Sequence, residues 1–376
     1  MNSRAPVVVL CFFMIVLLLT QQIQIQNLKT TLTEHDEAIN RIFKGKIKVA
    51  KDNPVKPLGW YISASGVLTL QKLQVLSDKR KTVIIYNRVP KTGSTSVMAL
   101  FYDLCKINKF RVLHLNVSKN SHVMHVADQG RFIRNITSWS KMQPAIFHGH
   151  LAYLDFEKYG AFNRPIYINV LRKPLDRLVS FYYFLRYGDD FRPHLHRRKM
   201  GDKITFDECV AKNLPDCRPE KIWLQIPFFC GHHTQCWIPG NEWALQQAKH
   251  NLFHKYLLVG VTEDLTGFIN VLEATLPKLF KGATNRFLTF SKSHARKTKY
   301  KLPPSEATIN AMQKSKIWKM ENEFYEFALA IFQRIKESTL VKGKKLNDKT
   351  IGRKVMQQKF FYDKIRPKVG NPRRTF

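Results

Sequence analysis

The sequence predicts an α/β protein with a parallel sheet flanked by helices, and three observations predict it. Short apolar runs rich in β-branched and aromatic residues recur at 83–87, 112–116, 145–148, 166–171 and 256–261. Segments of helical periodicity lie between them at 94–107, 175–187 and 264–276, and strands that alternate with helices pair in parallel through crossovers. The apolar fraction, 44% with 12% aromatic, is enough for a real core and excludes a mostly disordered chain. With 376 residues, one large domain with extensions or two domains are admissible.

The order along the chain begins with a short cytosolic tail, residues 1–4, and a signal-anchor transmembrane segment at 5–22. Arg4 precedes an uncharged apolar run from Ala5 to Leu19, which is short for a membrane span. A cleaved secretory peptide competes, but no small-x-small site follows the run. The positive charge before it places the N-terminus in the cytosol and the body in the lumen. Residues 23–81 read as a lumenal stem. Ile25, Leu28, Leu32, Ile39 and Ile42, with His35 at the missing position, form a short coiled-coil seam, and 44–80, broken by Pro54, Pro57 and Gly59, reads as a linker.

The folded body is expected at 82–340. Its last element is a long amphipathic helix around 304–336, followed by a basic tail, 341–376, that is partly docked through Phe360, Phe361 and Tyr362. Two acceptor sequons, at Asn116 and Asn135, agree with a lumenal body. Beyond Cys11 in the anchor, Cys209 and Cys217, and Cys230 and Cys236, are close pairs that could each close a short loop, leaving Cys105 over as a buried thiol. Four cysteines allow three connectivities. A zinc site with His232 and His233 competes, but the cysteine spacings do not match the usual knuckles.

Charge narrows the partners. Lys and Arg number 62 against 28 Asp and Glu, a net +34, which points to a polyanion: nucleic acid, acidic lipid or acidic polysaccharide. The anchor and the sequons set nucleic acid aside.

Three segments carry chemistry. Tyr86 to Ser96 leaves a strand, turns through Pro90 and Gly93 and enters a helix with Ser/Thr at its start, a P-loop-like arrangement that offers backbone N–H groups to an anion, with Lys91 as a point charge. Lys91 precedes Gly93, so the spacing is not that of the nucleotide-triphosphatase loop. Arg172 ends the run at 166–171 and Ser180 lies two helical turns on, positioned to clamp a second phosphate at the carboxyl edge of the sheet. In Phe147-His148-Gly149-His150-Leu151, residues two apart face one side, so both imidazoles share a space, and a neutral imidazole is the natural base for a hydroxyl proton. A metal pair, without a carboxylate before Asp155, and two satisfied polar core groups are the competing readings.

Together these segments resemble the sulfotransferases that use 3′-phosphoadenosine 5′-phosphosulfate. More closely, 84–95, 147–155, 180–190, 201–210, 223–230 and 317–328 resemble the heparan sulfate 2-O-sulfotransferases, Golgi enzymes of the uronyl 2-O-sulfotransferase family; the likeness runs from about 83 to 368. The His-Gly-His element is its most specific part. The resemblance implies a sulfotransferase fold, with Lys91, Thr92, Gly93, Ser94 and Thr95 on the 5′-phosphosulfate and Arg172 and Ser180 on the 3′-phosphate. Ser293, Thr298 and Lys301 match a donor-closing loop, and Phe287 stands where the family carries Tyr, so only stacking is kept. Gly93 stands where Ala is familiar, which is harmless at a backbone contact, and Lys173 replaces a familiar Asp.

The implied catalytic residues are His150 as general base, His148 orienting substrate or sharing that role, and Lys91 on the leaving oxygen. Arg88, Tyr102, Arg197, Lys364 and Phe181, the last where a Tyr is expected, match acceptor contacts. The implied enzyme sulfates the 2-hydroxyl of uronic acid, iduronate preferred, in heparan sulfate, needs no metal, and is a homotrimer on the Golgi membrane. The alternatives are a uronyl 2-O-sulfotransferase acting on dermatan or chondroitin sulfate, and an inactive glycosaminoglycan-binding relative.

Overall fold

The computed structural model describes residues 22, 26, 60–62, 68–70, 82–115, 121–161, 164–190, 194–289, 298 and 300–343. The chain divides into two units, Met1–Pro57 and Leu58–Phe376. The first is described only at Gln22 and Gln26, both helical. The anchor, the coiled-coil seam and the C-terminal tail lie otherwise outside the described residues, and no described helix is long and apolar enough to cross a membrane.

The second unit opens with a hairpin inside the stretch expected to be linker. β1 (Trp60–Ile62) pairs antiparallel with β2 (Leu68–Leu70), and β2 lies against the long C-terminal helix. Here the proline and glycine punctuation misled, because a three-residue strand is too short to show a period.

The main sheet has five strands in the order β4-β5-β3-β6-β7, all parallel: β3 (Val83–Asn87), β4 (Arg111–His114), β5 (Ala145–Gly149), β6 (Ile166–Leu171) and β7 (Tyr256–Val261). β5, β6 and β7 are buried at every residue, as strands covered by helices on both faces must be, while edge strand β4 is half open to solvent. After β3 the chain moves to one side of the sheet for β4, whereas β6 pairs on the other. β3 thus stands at the switch point where an open α/β sheet forms a crevice at its carboxyl edge.

The crossovers are α1 (Ser94–Ile107), α2 (Val126–Ser138), α3 (Pro174–Tyr187) and α6 (Glu242–Lys255), with α4 (Phe206–Ala211) and α5 (Gln225–Cys230) between the last two. α7 (Leu265–Thr275), α8 (Pro277–Phe280) and α9 (Ala283–Thr289) follow β7. The single helix expected at 304–336 is two, α10 (Glu306–Gln313) and α11 (Lys316–Gly343). Ser315 is the reason: its Oγ accepts the Trp318 N–H at 3.1 Å and so caps a new helix start.

The main core packs both faces of the sheet, and a smaller one joins α3 to α4 and α10 through Leu178, Tyr182, Tyr183, Phe206 and Met312. Disulfides Cys209–Cys217 and Cys230–Cys236 close the two short loops, and Cys105 is a half-buried free thiol. Among the described residues no three His, Cys, Asp or Glu side chains stand together as a metal site.

Candidate active site

Several of the candidate side chains come from the carboxyl edge of the sheet. β3 ends at Asn87 and runs into Arg88; β5 carries His148, Gly149 and, one residue beyond, His150; β4 ends at His114; β6 hands over to Arg172. Parallel register aligns them, with His148 opposite Tyr86 on one side and His114 on the other.

The loop after β3 is held tightly. Thr92, fully buried, donates through Oγ1 to the Val89 carbonyl at 3.0 Å. Lys91 and Gly93 both take left-handed backbone, φ 70 and φ 72. That conformation suits Gly93, where a β-carbon would also press within 3.2 Å of the Leu265 side chain. At Lys91 it is a strained turn fixed by its neighbours. α1 then starts at Ser94 with no side-chain cap, so its first N–H groups and its positive end face the loop. The Lys91 ammonium rests over the Phe184 ring, 4.3 Å from its centroid.

Arg172 reaches this loop from β6, and its Nη1 donates to the Lys91 carbonyl at 3.4 Å. Lys301 joins the same field: partial burial and the Arg172 charge push its ammonium pKa down, while Asp176 pushes it up. Asp176 and Ser180 are four residues apart on α3 and share a face, so Ser180, itself buried, lies along the side that Lys301 approaches. Thr298 bridges to Asp189 just past the end of α3. These contacts bring Arg172 to the loop at Lys91 and Lys301 near Arg172, with Ser180 on the adjacent helix and Thr298 tied just past its end. Phe287 is different, being buried within the main core, and Ser293 lies outside the described residues.

The two histidines are differentiated. His150 Nδ1 donates to the Arg88 carbonyl at 2.7 Å, which leaves Nε2 as the unprotonated nitrogen. Burial first, and the Arg88 charge second, push its pKa down to about 3, so the ring is neutral near pH 7. His148 is buried, and its Nε2 is bonded to the Tyr102 hydroxyl at 2.8 Å, while its buried Nδ1 has no hydrogen-bond partner among the described residues. Burial and then Arg88 also hold His148 well below the usual histidine range. The glycine between them is required by space: a β-carbon on Gly149 would stand 2.6 Å from the Leu115 carbonyl oxygen, where Leu115 N–H bonds back to the His148 carbonyl at 2.7 Å.

Of the expected acceptor contacts, Arg88 and Tyr102 reach the histidines directly, and Phe181 is exposed on α3. Arg197 makes an ion pair, 3.0 Å, with fully buried Asp189 and lies over the same Phe184 ring as Lys91, again at 4.3 Å. Lys364 and Asn116 lie outside the described residues, and Asn135 is exposed on α2.

Sequence reasoning missed four residues. The His114 ring lies 4.9 Å from that of His148, and His122 bonds the His150 carbonyl at 3.1 Å while stacking on Trp237. Gln225 and Glu321 hold the chain at Arg172 from behind. Only His114 carried a signal, a histidine two residues short of the end of the run at 112–116; the others are set by tertiary contacts alone.

An uncapped helix start beside a neutral imidazole is an arrangement suited to group transfer to a hydroxyl. The family model described as Sulfotransferase family matches residues 75–328. The chain belongs to the sulfotransferase family. This sulfotransferase is 56% identical over 293 residues to human "Heparan sulfate 2-O-sulfotransferase 1", covering 78% of the chain and 81% of that relative. The Xenopus laevis protein of the same name is 50% identical over 94% of both chains. Drosophila melanogaster "Heparin sulfate O-sulfotransferase" is 55% identical over 76% of this chain and 79% of its own length.

Proposed function

We propose that this sulfotransferase moves the sulfuryl group of 3′-phosphoadenosine 5′-phosphosulfate to the 2-hydroxyl of a uronic acid, iduronate preferred, in heparan sulfate. The observation that carries the reading is the tautomer of His150. Its Nδ1 proton is committed to the Arg88 carbonyl, so Nε2 is open to take a proton in a crevice that also holds the anion cradle. The relatives' names supply the acceptor class.

The steps follow from charge. The donor's 5′-phosphosulfate lies on the N–H groups of the loop and of α1, and its 3′-phosphate on Arg172, Ser180 and Lys301. His150 Nε2 takes the proton of the uronate 2-hydroxyl as that oxygen bonds to sulfur. The sulfur–oxygen bond to the nucleotide breaks in line, and Lys91 neutralises the oxygen left on the 5′-phosphate. His148, fixed by Tyr102, orients the sugar. Arg88 receives the uronate carboxylate, and that negative charge beside His150 offsets the Arg88 repulsion, which after burial is the second cause of the base's low pKa.

The surrounding organisation is proposed on the same footing: a single-pass type II protein of the Golgi membrane with a lumenal body, assembling as a homotrimer. Two disulfides, an exposed Asn135 and a net charge of +34 support a lumenal protein that meets a polyanionic chain.

The test is transfer of radiolabel from donor to N-sulfated heparosan, completely desulfated N-sulfated heparin and dermatan in parallel, followed by disaccharide analysis. Label at the 2-position of heparan-type uronate is expected. Label chiefly on dermatan moves the acceptor to that polymer, and polymers bound without transfer point to an inactive glycosaminoglycan-binding relative.

A further inference from the structure

The main chain at Arg172 is held by a side chain that the reaction itself does not use. β6 pairs with β7 only as far as Leu171, opposite Val261, and β3 leaves β6 earlier still, at Ile168. Arg172 is therefore the first residue beyond the sheet, where a peptide is normally free to turn. Here the Gln225 carboxamide replaces the missing strand. Its Oε1 accepts the Arg172 N–H at 2.9 Å and its Nε2 donates to the Arg172 carbonyl at 2.9 Å, the two-point pattern of a strand partner.

Gln225 is itself seated. It is fully buried, and its Nε2 also approaches Glu321 Oε2 at 3.5 Å. The other oxygen of Glu321, again fully buried, accepts the N–H groups of Leu224 at 2.8 Å and Ile226 at 3.1 Å, capping the start of α5 from α11. Buried Arg177 of α3 also donates to the carbonyls of Lys221 at 3.2 Å and Ile222 at 2.8 Å. The segment 221–226 is thus tied to two helices and presents one carboxamide to one peptide unit. A side chain meant only to satisfy the core has no need to match both hydrogen-bonding groups of a single residue.

We propose that Gln225, seated by Glu321, is the positioning residue of the 3′-phosphate pocket: it locks the Arg172 main chain so that the guanidinium stays beside the Lys91 carbonyl. The inference rests on the donor reading above, in which Arg172 meets the 3′-phosphate. A guanidinium whose backbone is fixed in advance loses less freedom when the phosphate arrives, and that gain belongs to the 3′-phosphate alone. Gln225 therefore sets how strongly the protein prefers a nucleotide with that phosphate over one without it. It leaves the reacting groups, Lys91 and His150, where they are.

The experiment is isothermal titration of the full chain and of Gln225→Met with two nucleotides, 3′-phosphoadenosine 5′-phosphate and adenosine 5′-phosphate, with donor KM and kcat measured alongside. Losing both hydrogen bonds should cut the preference for the 3′-phosphate by about tenfold. Adenosine 5′-phosphate affinity should stay within about twofold, donor KM should rise, and kcat at saturating donor should fall by less than about threefold. Gln225→Leu, which likewise removes both hydrogen bonds with a neutral side chain of similar size, is expected to lose about tenfold in preference as well. It supplies the same readout if the Met variant does not fold. An unchanged preference in the folded variant, or an equal loss for both nucleotides, overturns the positioning role. A wild-type protein that binds the two nucleotides equally overturns the donor assignment itself, and the inference with it.

Discussion

Replacing His150 by Ala separates chemistry from folding more cleanly than any other change in this site. The side chain bonds through Nδ1 to the Arg88 carbonyl at 2.7 Å, and the residue is only half-buried. Losing one such bond costs about 1 kcal/mol, which in a domain of this size lowers Tm by about 2–4 °C. Losing a positioned general base costs about 10²–10⁴ in rate, equivalent to about 2.7–5.4 kcal/mol of barrier. Donor binding should hardly change, because the cradle is built from the loop after β3, α1 and Arg172, on the other side of Arg88 in sequence. The assay is initial-rate transfer of labelled sulfate to N-sulfated heparosan at saturating donor, with Tm and product-nucleotide affinity measured on the same preparation. The expected result is a rate at least 100-fold down, with affinity within about twofold and Tm within a few degrees. A variant that keeps more than about a tenth of the wild-type rate removes His150 from the base role.

The remaining predictions concern the same crevice. Lys91→Ala should weaken binding of the product nucleotide about tenfold and slow kcat by about 10² or more; unchanged affinity and rate would reduce the loop to an ordinary helix start. Because burial and Arg88 hold the His150 pKa low in the free protein, the acid limb of kcat/KM should fall below the usual histidine value, and a limb at or above pH 6.5 would contradict the assigned environment. The linkage has the matching sign: between about pH 3 and 6.5 the unfolded chain binds this proton and the folded one does not, so stability should rise with pH across that window and be fully present above it. Gly93→Ala should lower Tm by a few degrees, since it places a β-carbon at φ 72 and 3.2 Å from Leu265, about 1–2 kcal/mol of left-handed cost; a rise in Tm would mean the loop adopts another conformation.

The parallel sheet was legible because its strands are short, largely apolar runs, and Val83–Asn87, Ile166–Leu171, Tyr256–Val261 and the helix Ser94–Ile107 fall where the pattern places them. Boundaries shifted where the signal is weakest, as on edge strand β4. The break at Lys314-Ser315 was hidden because a serine within an amphipathic run reads as a polar-face residue until its hydroxyl is seen capping Trp318. In the site, the residues proposed to touch ligand carried local motifs, whereas those that hold them did not. Gln225 and Glu321 sit 53 and 96 positions from their partners, and no spacing rule connects a carboxamide on one helix to a peptide at the end of a strand. The difference between His148 and His150 was equally invisible, because the pair looks symmetric in sequence and is divided only by the Tyr102 hydroxyl and the Arg88 carbonyl.

The most direct test of the central claim is the structure of the protein with 3′-phosphoadenosine 5′-phosphate and a heparan oligosaccharide bound together. The account places a uronate 2-hydroxyl within hydrogen-bond reach of His150 Nε2, about 2.6–3.2 Å, in line with the 5′-phosphate held by Lys91 and the start of α1. A different hydroxyl at that nitrogen, or the 2-hydroxyl facing His148 with His150 Nε2 turned away from it, would contradict it.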